Sequence, residues 1–233
     1  MSLTTECRTR WSVHPVVLAS LLIASCSGDA ETPASVDPPS DETAPTTLAI
    51  SADLFNGSVS FLDLDALVAS DGTRDDALVE RVQLAPPNQQ GPLTVAVTAD
   101  GARAVVLLSQ GVLAFVGGRF AVDTDALPST GSGVVILDLD TRHVLAEFPT
   151  EDLPIMVAID DRLDRAFVSL FGGADTNGSV AVYDLDTLEE VERVKVAPFV
   201  EGLALNDAGT RGAVIGATAG LYLFDPANLS GSL

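Results

Sequence analysis

A segment of about ten residues, present three times, constrains the fold of this 233-residue chain more than any other feature. It reads GSVAVYDLDT at 178–187, GSVSFLDLDA at 57–66 and GVVILDLDTR at 133–142. Each copy belongs to a longer unit of short apolar runs separated by Gly, Asp, Asn or Pro. Such runs and breakers are typical of β-strands and turns, and a spacing of roughly 40 residues is typical of β-repeat architectures.

The runs also predict how the strands are arranged. Asn56-Gly57 and Asn177-Gly178 predict two-residue type I′ turns, so the first two strands of a unit should form a hairpin. The run Val180-Ala181-Val182-Tyr183 is apolar on both faces, and such a strand must be covered from both sides. We therefore predict an all-β chain over 47–233, a β-propeller of four-stranded antiparallel blades.

The units resemble YVTN-type β-propeller repeats, which combine G-x-V-x-V-I-D, P-x-x-V-A-V-x-x-D-G and R-x-Y-V strands. The matching segments are 57–63, 92–101, 165–168 and 178–184. Phe167 replaces the Tyr of the pattern, and Asp161-Arg162 stands where Asp-Gly is usual. The resemblance covers about 47–229 and implies the propeller fold without assigning a function.

The strand count raises the question of ring closure. About 14 strands make three and a half blades, whereas the resemblance implies a ring of about seven. We expect an incomplete ring from a truncated chain, with a four-bladed ring and a ring shared by two chains as alternatives. An open end leaves an unpaired strand edge and an apolar blade face, so self-association is possible.

The first 26 residues differ from the rest of the chain. Arg8 and Arg10 precede an uncharged run at 16–25 that is too short to span a bilayer, which is the pattern of a secretory signal. The run ends in Ile23-Ala24-Ser25-Cys26, which resembles a bacterial lipobox. The resemblance implies cleavage before Cys26 and a diacylglyceryl group on its sulfur; the alternative is an ordinary signal peptide with a Cys there by chance.

Residues 27–46 predict a disordered tether that lifts the domain from the membrane, since Pro, Ser, Thr, Ala and acidic residues dominate them. In the lipoprotein class, Ser27 rather than Asp after the Cys favours the outer membrane. The expected location is therefore the bacterial cell envelope, on the periplasmic or the surface face, with Cys26 as the anchor.

Composition excludes several functions. The 33 acidic and 12 basic residues give a net charge of −21, which argues against nucleic acid and against a basic patch on anionic lipid. After cleavage before Cys26, which removes residues 1–25, the chain keeps one His, His143, and one Cys, Cys26. This inventory excludes a zinc site of Cys and His and a Cys nucleophile, so we expect no catalytic residue, metal or cofactor.

The most repeated charges are the Asp-Leu-Asp carboxylates, which recur in each unit. A catalytic or cation-binding pair should occur once, so we interpret them as turn-forming residues. Arg103, Arg165 and Arg211 each follow an acidic turn, and ion pairing there is favoured over an anion site.

The insertion at 112–130 interrupts the repeat and is the predicted binding loop, since long loops on a rigid scaffold often carry binding. Its candidate residues are Phe115, Arg119, Phe120, Asp123 and Asp125. The predicted function is a lipid-anchored, extracytoplasmic scaffold that binds a protein or glycan without catalysis of its own. The alternative is a fragment of a propeller enzyme, lactonase-like or quinone-dependent dehydrogenase-like, which needs His, Glu, Arg or metal ligands converging at the ring centre.

Overall fold

The computed structural model describes residues 47–54, 56–69, 76–86, 91–109, 131–173, 176–217 and 220–233. The predicted secretory signal, Cys26 and the predicted tether lie outside this described part. Sheet 1 consists of β1 (Leu48–Asp53), β2 (Ser58–Asp63) and β3 (Leu78–Gln83). Sheet 2 consists of β4 (Pro92–Val97), β5 (Arg103–Leu108), β6 (Gly133–Asp138) and β7 (Val144–Pro149).

Two more sheets follow along the chain. Sheet 3 consists of β8 (Pro154–Asp160), β9 (Arg165–Leu170), β10 (Gly178–Asp184) and β11 (Glu189–Ala197). Sheet 4 consists of β12 (Val200–Leu205), β13 (Gly212–Gly216) and β14 (Gly220–Phe224). Two short helices, α1 (Leu64–Ala69) and α2 (Leu229–Ser232), complete the described elements. No helix of the described ranges is long and apolar enough to cross a membrane.

Every sheet is an antiparallel meander in which each strand pairs with its neighbour in the chain. The sheets stack in series, since β1 contacts β4, β4 contacts β8, and β8 contacts β12. These contacts place one long edge of each sheet along a common inner row, as in the blades of a propeller. The predicted all-β propeller fold is therefore confirmed, with four blades in an unclosed array.

Three buried apolar clusters hold the blades together, one at each junction between neighbouring sheets. Val59 and Phe61 of sheet 1 pack with Val106 and Leu137 of sheet 2. The opposite face of sheet 2 packs on sheet 3, and the opposite face of sheet 3 packs on sheet 4. The two middle strands of sheets 2 and 3 are thus buried on both faces, which explains why β5, β6, β9 and β10 lack a polar-apolar alternation.

The grouping of strands into blades differs from the sequence units by one strand. The run PLTVAVTADG closes the first sequence unit, but its strand β4 begins sheet 2 and pairs with β5. The strands β8 and β12 likewise begin their sheets. A tandem repeat reads the same from any starting strand, so the pattern alone does not show where a blade begins.

The predicted two-residue turns at Asn56-Gly57 and Asn177-Gly178 are wrong, although the hairpins themselves are confirmed. Ser58 pairs with Asp53, which leaves residues 54–57 to the first connection. Ser179 pairs with Leu170, which leaves the longer segment 171–178 to the second. A type I′ turn needs positive φ at both central residues, and of the first pair only Gly57 has one, at 67°.

Candidate ligand-binding edge

The strand connections emerge on two opposite edges of the blades. Connections that follow even-numbered strands form the acidic edge, which comprises 64–77, 98–102, 139–143, 161–164, 185–188, 206–211 and 225–228. Connections that follow odd-numbered strands form the loop edge, which comprises 54–57, 84–91, 109–132, 150–153, 171–177, 198–199 and 217–219. Backbone hydrogen bonds join neighbouring loop-edge connections, for example from Phe171 N to Leu153 O at 2.8 Å.

On the acidic edge the first Asp of each Asp-Leu-Asp segment shapes a turn. Asp63 Oδ1 accepts hydrogen bonds from the backbone N–H groups of the second and third residues after it, at 2.8 and 3.0 Å. Asp184 Oδ1 does the same with Asp186 N at 3.0 Å and Thr187 N at 2.8 Å. Asp138 Oδ1 accepts from both N and Oγ1 of Thr141. These bonds lower the pKa of Asp138 and of Asp184.

Arginines on the acidic edge tie neighbouring blades together. Arg103 of sheet 2 donates from Nη1 to Asp186 Oδ1 of sheet 3 at 3.1 Å and also to Leu185 O. Arg162 of sheet 3 donates to Asp160 Oδ2 at 2.9 Å and to Gly209 O of sheet 4. For Arg103 the predicted pairing beside acidic turns is confirmed. The acidic edge therefore has a structural role, and the recurrence of its Asp-Leu-Asp turns in each unit already indicated that role.

The described part of the chain holds no group of three or more His, Cys, Asp or Glu residues placed to bind a metal ion. His143 is exposed in the β6–β7 connection, as the sequence predicted, and its carbonyl accepts a hydrogen bond from Asp138 N at 2.9 Å. Neither observation supplies a catalytic centre.

The residues of the predicted binding loop fall between β5 and β6 in the sequence. Phe115, Arg119, Phe120, Asp123 and Asp125 lie outside the described residues. The residues on either side of that segment lie between β5 and β6, where Ser109 N donates to Gly91 O at 2.9 Å and Ser132 O accepts from Thr150 N at 3.0 Å.

Two buried hydroxyl groups lie beside the base of that loop. Ser109 is fully buried, and neither its Oγ nor Thr150 Oγ1 has a hydrogen-bond partner among the residues that the structure describes. A buried hydroxyl normally has a partner, so these two groups are exceptions within the described part of the chain.

A pair of aromatic rings occupies the same edge, and the sequence analysis did not find it. Phe171 follows β9 and Phe199 precedes β12, and their ring centroids are 5.3 Å apart at an angle of 50°. Both residues are half-buried, and neither belongs to the three buried clusters. The pair therefore presents aromatic surface at the rim of the junction between sheets 3 and 4.

Phe199 adopts a strained backbone conformation. Its φ is 54°, in the left-handed region that glycine enters freely and bulky residues avoid. Its carbonyl accepts a hydrogen bond from Ala217 N at 2.9 Å, and this bond helps to hold the conformation. Strain of this kind costs of order 1–3 kcal/mol and concentrates at functional sites. Arg142, Asp164 and Leu188 on the acidic edge also have positive φ, and Phe199 is the aromatic residue among the four. No pattern in the sequence indicates it, because a Phe in a short connection gives no sign of its φ.

Comparison with known proteins yields the fold and little more. No family model matches the chain, and no curated protein does. The chain is similar to 620 chains of solved structures, a breadth that points to a widely used fold rather than to one activity. One of them is Kuenenia stuttgartiensis hydrazine synthase, at a TM-score of 0.56 and 18% sequence identity.

That alignment covers 79% of this chain and 44% of the hydrazine synthase chain. This chain therefore spans less than half the length of that relative. At 18% identity the likeness shows the fold alone.

Proposed function

We propose that this chain is a lipid-anchored, extracytoplasmic β-propeller that binds a protein or glycan at its loop edge and has no catalysis of its own. The observation that carries the binding role is Phe199, a bulky aromatic residue held at positive φ and paired with Phe171 outside the core. A glycine at this position would avoid the strain, so the ring itself supplies the reason to keep a Phe there.

The chemistry of the edge favours an uncharged ligand surface. Aromatic rings stack on other rings and on apolar or sugar faces, and they contribute large contact area at low conformational entropy. The net charge of −21 disfavours polyanions, because two surfaces of one sign repel.

The anchor is proposed from the sequence. Cys26 takes the lipid and 27–46 acts as the tether. Two or three acyl chains hold a protein on a membrane where one chain binds only marginally. We expect the intact mass of membrane-extracted protein to equal that of a chain starting at Cys26 plus acyl groups. An unmodified mass that includes Met1 contradicts the anchor.

Photo-crosslinking in intact cells tests the binding role with the full-length chain. A benzophenone amino acid replaces Phe199 in one variant and Phe171 in another, and it inserts into C–H bonds of proteins and glycans alike. A third variant carries it at Val68, which is 82% exposed on α1 beside the acidic edge. We expect discrete adducts from positions 199 and 171 and none from position 68.

The crosslinker reacts with any bound partner, so the ligand need not be known in advance and the absence of adducts is informative. No adduct from 199 or 171, or the same adducts from 68 as from 199, contradicts binding at the loop edge. Near-native thermal unfolding of each variant shows that the probe has not disrupted the blade.

A further inference from the structure

The outermost strands of sheets 1, 2 and 3 are each interrupted near their beginning. These outer strands are β3, β7 and β11, and each pairs with one neighbour on one side and with no described strand on the other. In all three pairings the register shifts by one residue, so that one residue of the outer strand has no partner across the ladder. The extra residues are Val79, Leu145 and Val191. Each outer strand therefore contains a β-bulge.

The bulge keeps an equivalent position in the three repeats. In sheets 2 and 3 the extra residue, Leu145 or Val191, comes seven residues after the first Asp of the Asp-Leu-Asp segment. In sheet 1 the connection that contains α1 is longer, and Val79 comes 16 residues after Asp63. The register shift nevertheless falls opposite the two residues before that Asp in all three sheets. A bulge produced by a tight turn would be lost with the longer connection, so the bulge is a property of the outer strand itself.

The bulges limit how much regular edge each outer strand offers. Residues 80–83 in β3, 146–149 in β7 and 192–195 in β11 pair in unbroken register. The nine-residue β11 is the longest strand of the described ranges, and a second register shift leaves Val196 as an extra residue near its end. By contrast, the first two strands of sheet 1 and the two middle strands of sheets 2 and 3 pair without a shift over six residues. The regular run on the outer strands is therefore shorter than the sheets themselves sustain.

A strand edge that faces solvent is a place where another strand can add. The extra residues Val79, Leu145 and Val191 are 40%, 39% and 44% exposed, so the outer strands face solvent at the bulges. An added strand bonds to N–H and C=O groups that point outward at every second residue. A bulge turns the N–H groups of two consecutive residues toward the same neighbour, which puts the outward groups on its two sides out of phase. A strand that matches one side of the bulge therefore cannot match the other side.

We infer that the bulges in β3, β7 and β11 prevent the outer strands from pairing with a strand of a second copy of this chain. The middle strands of sheets 2 and 3 are buried and apolar, and a sheet of this kind is extended readily by another strand when its edge is regular. Glutamates add to the block, because pairing of identical outer strands brings like charges together. These residues are Glu80, Glu147 and Glu190. The protection is built into the blade and recurs with it.

Deletion of the three extra residues tests the block on the full-length chain. Without Val79, Leu145 and Val191 the pairs on either side of each bulge follow one another directly, so every remaining pair keeps its register. Light scattering coupled to gel filtration measures the mass of the chain extracted from membranes, with the detergent mass subtracted. We expect the deletion variant to form larger species than the parent, at a concentration lower by at least about tenfold. Hydrogen exchange of the larger species should show new protection at 192–195.

A matched control separates the bulge from the apolar side chain that it carries. The variant with Val79→Ser, Leu145→Ser and Val191→Ser removes the same three exposed aliphatic side chains and keeps the extra residues. It should have the mass of the parent at every concentration. The deletion variant should also remain folded, because a regular ladder replaces an irregular one, and its thermal unfolding midpoint should fall by no more than about 3 °C.

Four results overturn the block. The folded deletion variant has the mass of the parent at every concentration; the serine variant forms the same larger species as the deletion variant; the larger species form without new protection of any outer strand; or the deletion variant is unfolded, which makes the bulges a requirement of the fold. None of these readouts involves Phe171 or Phe199, so a negative result here leaves the loop-edge proposal unaffected.

Discussion

Asp184 shows at the scale of one residue how a strand end is specified. Its carboxylate accepts hydrogen bonds from two backbone N–H groups that have no other partner once β10 has ended. Asp63 and Asp138 make the equivalent bonds after β2 and β6. The repeated Asp is therefore part of the folding pattern, as its recurrence predicted.

Replacing Asp184 by Ala should destabilise the chain by about 1 kcal/mol, because two backbone donors lose their acceptor. Urea unfolding followed by circular dichroism measures the change. Asp207→Ala is the matched control, since it removes the same charge from an exposed position on the same edge and should change stability by less than about 0.5 kcal/mol. Equal effects of the two substitutions contradict the role of Asp184.

The pH dependence of stability follows from the same bonds. Hydrogen bonding lowers the pKa of Asp100, Asp138 and Asp184 below the ordinary value of 3.8; Thr98, Thr141 and Thr187 respectively supply the leading bonds. Below that value the unfolded chain binds more protons than the folded chain, so stability present at higher pH falls as the pH drops through the lowered pKa values. The urea midpoint should fall below about pH 4, and less so in Asp184→Ala.

The hydroxyl of Tyr183 is a second group whose contribution to stability a single substitution can measure. The residue is fully buried, its ring lies 4.8 Å from that of Phe148, and its hydroxyl lies near Glu190 and Arg193 without a hydrogen bond of standard geometry to any described residue. Burial, followed by the charge of Glu190, raises its pKa. Tyr183→Phe removes the unpaired hydroxyl and keeps the ring, so stability should be unchanged or rise by up to about 1 kcal/mol. A loss of more than about 1 kcal/mol indicates that the hydroxyl is bonded after all.

At the scale of the strand and its connections, the sequence predicted the strands and their antiparallel order. It did not predict the blade boundaries or the lengths of the turns. Apolar runs bounded by Gly, Asp and Pro predicted the strands and their antiparallel order, because each run must bury both faces and each breaker ends a run. The blade boundaries were not predictable, since a four-strand repeat has no marked first strand. The two-residue turns were wrong because other residues beside each Asn-Gly pair also belong to the connection.

The sequence predicted only part of the candidate site. The binding role predicted for the insertion at 112–130 stays a prediction, since these residues lie outside the described part; Ser109 and Ser132 on either side of it lie at the loop edge. The aromatic pair was missed because Phe171 and Phe199 are separated in sequence and meet only when sheets 3 and 4 stack. Pairs of this kind depend on tertiary structure and leave no local signal.

Phe199 offers a test of strain in a connecting element. Phe199→Ala loses the ring contact and keeps the unfavourable φ, so it should destabilise the chain by about 1 kcal/mol. Phe199→Gly loses the same contact but removes the strain, and should therefore lie within about 0.5 kcal/mol of the parent. Thermal unfolding of the two variants measures the difference. If Gly is as destabilising as Ala, the positive φ carries no strain.

At the scale of the whole molecule, four blades stack in an array with unlike ends. The sequence predicted that an open end would expose an apolar blade face, and Leu221 and Leu223 confirm it. On sheet 1, the face turned away from sheet 2 carries the buried Asp53–Ser58–Ser60 cluster, which the repeat pattern did not indicate.

The central claim is that neighbouring blades pack face to face, and an NMR experiment on the folded chain tests it most directly. Phe148 belongs to sheet 2 and Tyr183 to sheet 3, and their ring centroids lie 4.8 Å apart. The account predicts nuclear Overhauser effects between these two rings, and likewise between Phe167 and Phe224 at the next junction, where the centroids are 5.8 Å apart. Assigned spectra in which neither pair shows a contact contradict the stacked blades.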